Sequence, residues 1–158
     1  TRSRQVTGVQ TCALPIFGRM PSKKSGFVDD RKLEADAYKV LERLGVQDVI
    51  HVNDYPANLT VAQQQMVEIA RALSVDSKIL IMDEPTRGID VGAKHEIYEI
   101  MNDLAAQGKS IIMVSSEMAE LLGMSDRVYV MCDGKMRGEI KDKEDMTQAK
   151  VMGYATQF

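Results

Sequence analysis

The sequence predicts an α/β fold with a mostly parallel sheet and flanking helices. Unbroken apolar runs of strand length stand at 79–82, 110–114 and 128–132, and segments with i, i+3, i+4, i+7 apolar spacing precede or separate them. Glycine or proline marks most of the junctions. The order strand, helix, strand, helix, strand implies right-handed crossovers between parallel strands.

Taken in order, residues 1–17 (TRSRQVTGVQTCALPIF) share no period with the rest of the chain and resemble translated sequencing-adapter DNA, so they are expected to be a non-native leader. Residues 18–30 are loop-like. A helix is expected from about Asp30, with Leu33, Ala37, Val40, Leu41 and Leu44 on one face and Gly45 as its stop. A second, from about Ala62 to Ser74, places Met66, Ile69, Ala70 and Leu73 together. These make a helical region, 18–75, ahead of a sheet core, 76–158. Ile79-Leu80-Ile81-Met82 lacks polar alternation, which predicts a strand covered on both faces. A third helix, about Gly92 to Gln107, carries Ile97, Ile100, Met101 and Leu104. Then come a buried strand, Ser110 to Val114, a short helix, Glu117 to Leu122, and a strand, Asp126 to Cys132. Asp133-Gly134 predicts a hairpin into Lys135 to Ile140, and a small helix is expected after Glu144.

At 158 residues the chain has the size of one domain and could bury roughly two thirds of its unfolded surface. A net charge of -3 without basic runs argues against nucleic acid as a partner. Cys12 and Cys132 form no CxxC or Cys/His cluster, so no zinc site or disulfide framework is indicated and a reducing compartment fits. No apolar stretch has membrane-spanning length. His51 and His95 are isolated, and no metal role is expected for either. The methionines and Cys132 are expected to fill core gaps.

The first strand runs into Asp83 and Glu84, and Pro85 then stops it because proline offers no N–H to a ladder. Open α/β sheets place ligands at such carboxyl ends. Adjacent carboxylates repel, which a hard cation such as Mg2+ would relieve. The competing reading is that these acids merely cap the next helix.

Leu59 to Leu73 (LTVAQQQMVEIARAL) followed by ILIMDEPT resembles the ATP-binding cassette ATPases, a family with a P-loop NTPase fold. The likeness is closest to subunits that energise bacterial import of simple sugars such as ribose, galactose or xylose. It implies ATP and Mg2+ as cofactors, with Asp83 as the Walker B metal residue and Glu84 as the general base. By the same resemblance, Gly88-Ile89-Asp90 matches the loop that meets a second cassette. Leu59, Thr60, Val61, Ala62 and Gln63 occupy the place of the LSGGQ signature, but Val61 and Ala62 replace its two glycines. Their side chains obstruct a close backbone approach to phosphate. Ser116 stands at the family's switch-histidine position and is either a weakened γ-phosphate sensor or simply a helix N-cap.

The implied partners are a second cassette, a transmembrane sugar permease and, indirectly, a periplasmic or extracellular sugar-binding protein. The implied location is the cytoplasmic face of the membrane. Gly108-Lys109-Ser110 imitates the end of a phosphate loop but leads from a helix into a strand, the reverse of what that motif requires. The phosphate-loop half of the cassette is therefore expected to be missing, and poor ATP binding is expected of the chain alone. Residues up to about Thr86 resemble the first cassette of a duplicated sugar ATPase and those from Arg87 the second, which predicts a join between them. A hydrolysing subunit and a non-hydrolysing partner cassette both remain open.

Overall fold

The computed structural model describes residues 21–23, 26–75 and 77–156; the adapter-like stretch 1–17 lies outside them. The chain divides into two compact units, Thr1–Ile112 and Met113–Phe158.

In the first unit, α1 (Asp30–Leu44) buries Leu33, Ala37, Leu41 and Leu44, the stripe its spacing predicts. The Asp29 carboxylate accepts from the Lys32 amide at its start, and Gly45 closes its end in the left-handed conformation. α2 (Val61–Leu73) packs against α1 and against α3 (Val91–Ala106), and turns Met66, Val67, Ile69, Ala70 and Leu73 inward. Between α2 and α3 lies β1 (Ile79–Asp83), and after α3 comes β2 (Ser110–Val114), its sheet partner, of which residues 110–112 belong to this unit. The Ser110 amide donates to the Lys78 carbonyl at 2.9 Å, and Lys109 Nζ to the Ser77 carbonyl at 2.8 Å. The two strands therefore set out side by side in the same direction, as the crossover predicts. Lys109 holds the backbone just ahead of β1 and sits at a helix-to-strand joint, so Gly108-Lys109-Ser110 is no phosphate loop.

Two expectations are overturned here, since neither strand is buried as a whole: β2 has no fully buried residue, its positions alternating between exposed and half-buried. β1 is not covered on both faces: Leu80 and Met82 are buried, whereas Ile79 and Ile81 are 57 and 71 % exposed. Alternation of side chains across a strand puts consecutive residues on opposite faces, so an unbroken apolar run leaves one apolar face bare wherever cover exists on one side alone.

The second unit is built on a hairpin. β3 (Val128–Cys132) and β4 (Lys135–Ile140) pair antiparallel from Cys132 with Lys135 to Val128 with Ile140, with an irregularity between Val130 and Met131. Asp133 and Gly134 take φ of 51° and 70°, the two left-handed residues that a type I′ turn requires. α5 (Gln148–Ala155) packs on both strands, and Val128, Val130, Ile140, Met146 and Val151 form one buried cluster. A Cβ on Gly138 would stand 2.5 Å from the Tyr154 ring, so glycine is what lets α5 lie this close to β4. Ahead of the hairpin is the short α4 (Met118–Met124). The methionines are not all core: Met131 and Met136 face solvent as a cross-strand pair, and Cys132 is only half-buried. No described helix is long and apolar enough to cross a membrane.

Candidate functional site

The acidic turn is set by β1. Asp83 is its last residue and is exposed, on the same side of the strand as Ile79 and Ile81. Glu84 follows, half-buried, with φ of 48°. A left-handed backbone is costly for a residue with a Cβ, and such strain gathers at functional sites. The buried Pro85 and Thr86 form the floor of the turn, which is closed by Arg87 N–H on the Glu84 carbonyl at 3.1 Å and Ile89 N–H on the Thr86 carbonyl at 3.2 Å. Asp90 then caps α3, accepting from the Ala93 amide at 3.0 Å. The reading in which Asp83 or Glu84 caps the next helix is thereby overturned, because Asp90 performs that task.

A second element is the start of α2. Thr60 Oγ1 accepts from the Gln63 amide at 3.2 Å, and Gln63 Oε1 accepts from the Thr60 amide at 2.9 Å, a complete capping box. The other end of the Gln63 amide donates to the Val49 carbonyl at 3.1 Å. Gln64 Nε2 donates to the Leu59 carbonyl at 3.0 Å. Leu59 and Ala62 are buried, and Val61 alone of the signature-like residues presents an apolar side chain outward, 55 % exposed beside a shallow groove with Pro56 and Gln64. The capping box was readable as Thr-x-x-Gln ahead of an apolar run, and sequence reasoning missed it.

Ser116 is exposed and lies in the second unit, between β2 and α4. It is not the helix cap. Glu117 holds the N-cap position, and its amide donates to Ser115 Oγ at 3.0 Å, while Ser115 Oγ donates to Glu120 Oε2 at 2.5 Å. Ser115 and Glu120 were both overlooked, since a five-residue spacing matches no helical or strand period. Asp83, Glu84 and Asp90 thus share one turn, Leu59 to Gln63 one helix start, and Ser116 a separate junction.

Among the described residues no group of three or more His, Cys, Asp or Glu could hold a metal by itself. Mg2+ bound with nucleotide needs only one or two carboxylates, the remaining ligands being phosphate oxygens and water. The Asp83–Glu84 pair fits that second kind of donor set.

The fold is that of an ATP-binding cassette. Over 97 % of its length the chain superposes on 65 % of a cassette from an ABC transporter, with a TM-score of 0.77 at 22 % identity. A nucleotide-free cassette from an ABC transporter matches equally well, with a TM-score of 0.77 at 24 % identity, covering 92 % of this chain and 60 % of that one. The profile of the ABC transporter family matches residues 3–87, more than half of the chain, and the protein belongs to that family. Among similar sequences, a galactose/methyl galactoside import ATP-binding protein of Clostridium tetani is 49 % identical over 131 residues, 83 % of this chain and 26 % of that protein. A xylose import ATP-binding protein of Moorella thermoacetica is 52 % identical over 99 residues, 63 % of this chain and 19 % of that protein. The chain spans about a quarter or less of the length of these curated relatives.

Proposed function

We propose that the chain is part of an ATP-binding subunit that energises import of a monosaccharide through a membrane permease. The observation that carries this is the acidic turn, with Asp83 and Glu84 delivered by β1 and relieved of capping duty by Asp90. The names of the similar sugar-import proteins supply the cargo class.

In this reading Mg2+ supplies charge neutralisation at the β- and γ-phosphates of ATP when nucleotide is bound. Asp83 is the residue that would hold that ion. Glu84, held by its left-handed backbone and the Thr86 floor, accepts the proton of the attacking water and directs it at the γ-phosphate. The turn through Gly88, Ile89 and Asp90 meets a second cassette, and closure of the pair drives the permease, to which an extracytoplasmic sugar-binding protein delivers cargo. The subunit then sits at the cytoplasmic face of the membrane.

A second reading, a partner cassette that supports assembly without hydrolysis, is favoured by Val61, Ala62 and Ser116. The capping box already engages the Gln63 amide, and Val61 covers the first turn of α2. The two readings part in a transporter assembled with this sequence. Glu84→Gln should abolish hydrolysis while Mg2+–ATP still binds if Glu84 is the base, and an unchanged rate favours the partner cassette. Failure of the chain to co-purify with any permease rejects both.

A further inference from the structure

We propose that Glu120 is a positioning residue that sets the backbone on either side of Ser116. The functional weight of this rests on the nucleotide-facing reading of Ser116; the geometry does not. Glu120 is the one fully buried charged residue among the described residues, at 3 % exposure. Burial of a carboxylate is unfavourable unless it is hydrogen-bonded, and a purely packing role would be served better by an apolar side chain. Here its Oε2 accepts a hydrogen bond from the Ser115 hydroxyl at 2.5 Å, and the same hydroxyl oxygen accepts from the Glu117 amide at 3.0 Å.

The relay therefore anchors the residue before Ser116 by its side chain and the residue after it by its N–H. A serine hydroxyl on its own rotates to suit whatever is near. With its proton committed to Glu120, its lone pairs face the Glu117 amide. Glu117 makes no side-chain cap to α4, and the relay instead holds the amide of that N-cap residue, just ahead of the first turn. A helix as short as α4 has little stability of its own, so its start and the junction that presents Ser116 take their direction from Glu120 and from the packing of Leu121 and Leu122.

Backbone amide exchange followed by NMR in the full chain tests this. Glu120→Ala should speed exchange of the Glu117 amide by about tenfold, the worth of one such hydrogen bond, and move the Ser116 resonance. Amides of Val128 and Val130 should keep their protection. Glu120→Gln, whose carbonyl still accepts from Ser115, should restore both signals. Ser115→Ala removes the middle of the relay without emptying the core and should reproduce the Glu120→Ala change. Unchanged Glu117 exchange in both alanine variants overturns the proposal. So does a loss of protection spread evenly over β3 and β4, which would make Glu120 a core residue and nothing more. Ser116→Ala in a transporter assembled with this sequence separates the two claims: if its Mg2+–ATP affinity and hydrolysis rate are unchanged while the relay behaves as described, the nucleotide assignment of Ser116 falls and the positioning role stands.

Discussion

β3 and β4 meet through the two-residue turn at Asp133 and Gly134 and bury Val128, Val130 and Ile140 with Val151 of α5. β1 and β2, by contrast, are joined across the whole of α3 and leave Ile79, Ile81 and Ile112 more than half exposed. The difference lies in how far along the chain each sheet must look for its cover. An antiparallel hairpin finds its partner two residues away and its lid in the next helix. A parallel pair needs a crossover, and its two faces need cover from elements remote in sequence. The hairpin unit therefore carries its own core, while the acids of the first unit stand at the end of a strand with one bare face.

Five measurements would break or sharpen this comparison. Ile140→Ala should cost about 2–5 kcal/mol and strip amide protection from β3, β4 and α5 while α1 and α2 keep theirs. Simultaneous loss in α1 and α2 would mean that the hairpin is not self-sufficient. Gly138→Ala should cost about 1–3 kcal/mol by driving a methyl into the Tyr154 ring, seen as release of α5 from the hairpin. Thr60→Ala, which removes half of the capping box, should cost about 1 kcal/mol and loosen the start of α2, with the hairpin amides as an internal control.

Ile81→Thr should change stability by less than about 0.5 kcal/mol, because the side chain is already in water. It should also lower self-association in sedimentation, and a large loss of stability would show that the bare face is covered in solution. The smallest effect concerns Glu139. Its carboxyl is held below the usual range chiefly by the Tyr129 hydroxyl; desolvation, the next largest influence, opposes this, and Lys141 and Arg127 add smaller lowering contributions. A lowered native pKa contributes stability above the unfolded value, and that contribution is lost as pH falls through the native one. Tyr129→Phe should raise the Glu139 pKa towards the ordinary carboxylate value in an NMR titration and weaken this acid-side dependence.

Much of the fold was legible because local rules and packing agree. The spacing of Leu33, Ala37, Leu41 and Leu44 names the inner face of α1 directly, and Asp133-Gly134 names the hairpin turn. The acidic pair was legible from Pro85 and the apolar run before it. Other features were not, for reasons of chemistry. Ser115 and Ser116 carry identical side chains, so neither reveals which one binds the helix amide; Glu120, five residues on, decides it. Likewise, Asp83, Glu84 and Asp90 are all plausible caps for α3 on composition. Only the path of the turn brings Asp90, and not the other two, to the Ala93 amide.

By itself the sequence determined where each helix and strand lies, that two acids end the first strand, and that glycines are missing from the signature-like helix start. These depend on residue type and near-neighbour spacing, which the chain carries whatever surrounds it. The tertiary structure alone decided which face of β1 is bare, that Glu84 is left-handed, that Gly138 makes room for Tyr154, and that a buried carboxylate governs the junction at Ser116. Each of these depends on contacts between residues that no short period links, and a run such as Ile79-Leu80-Ile81-Met82 reads the same whether one of its faces is covered or both.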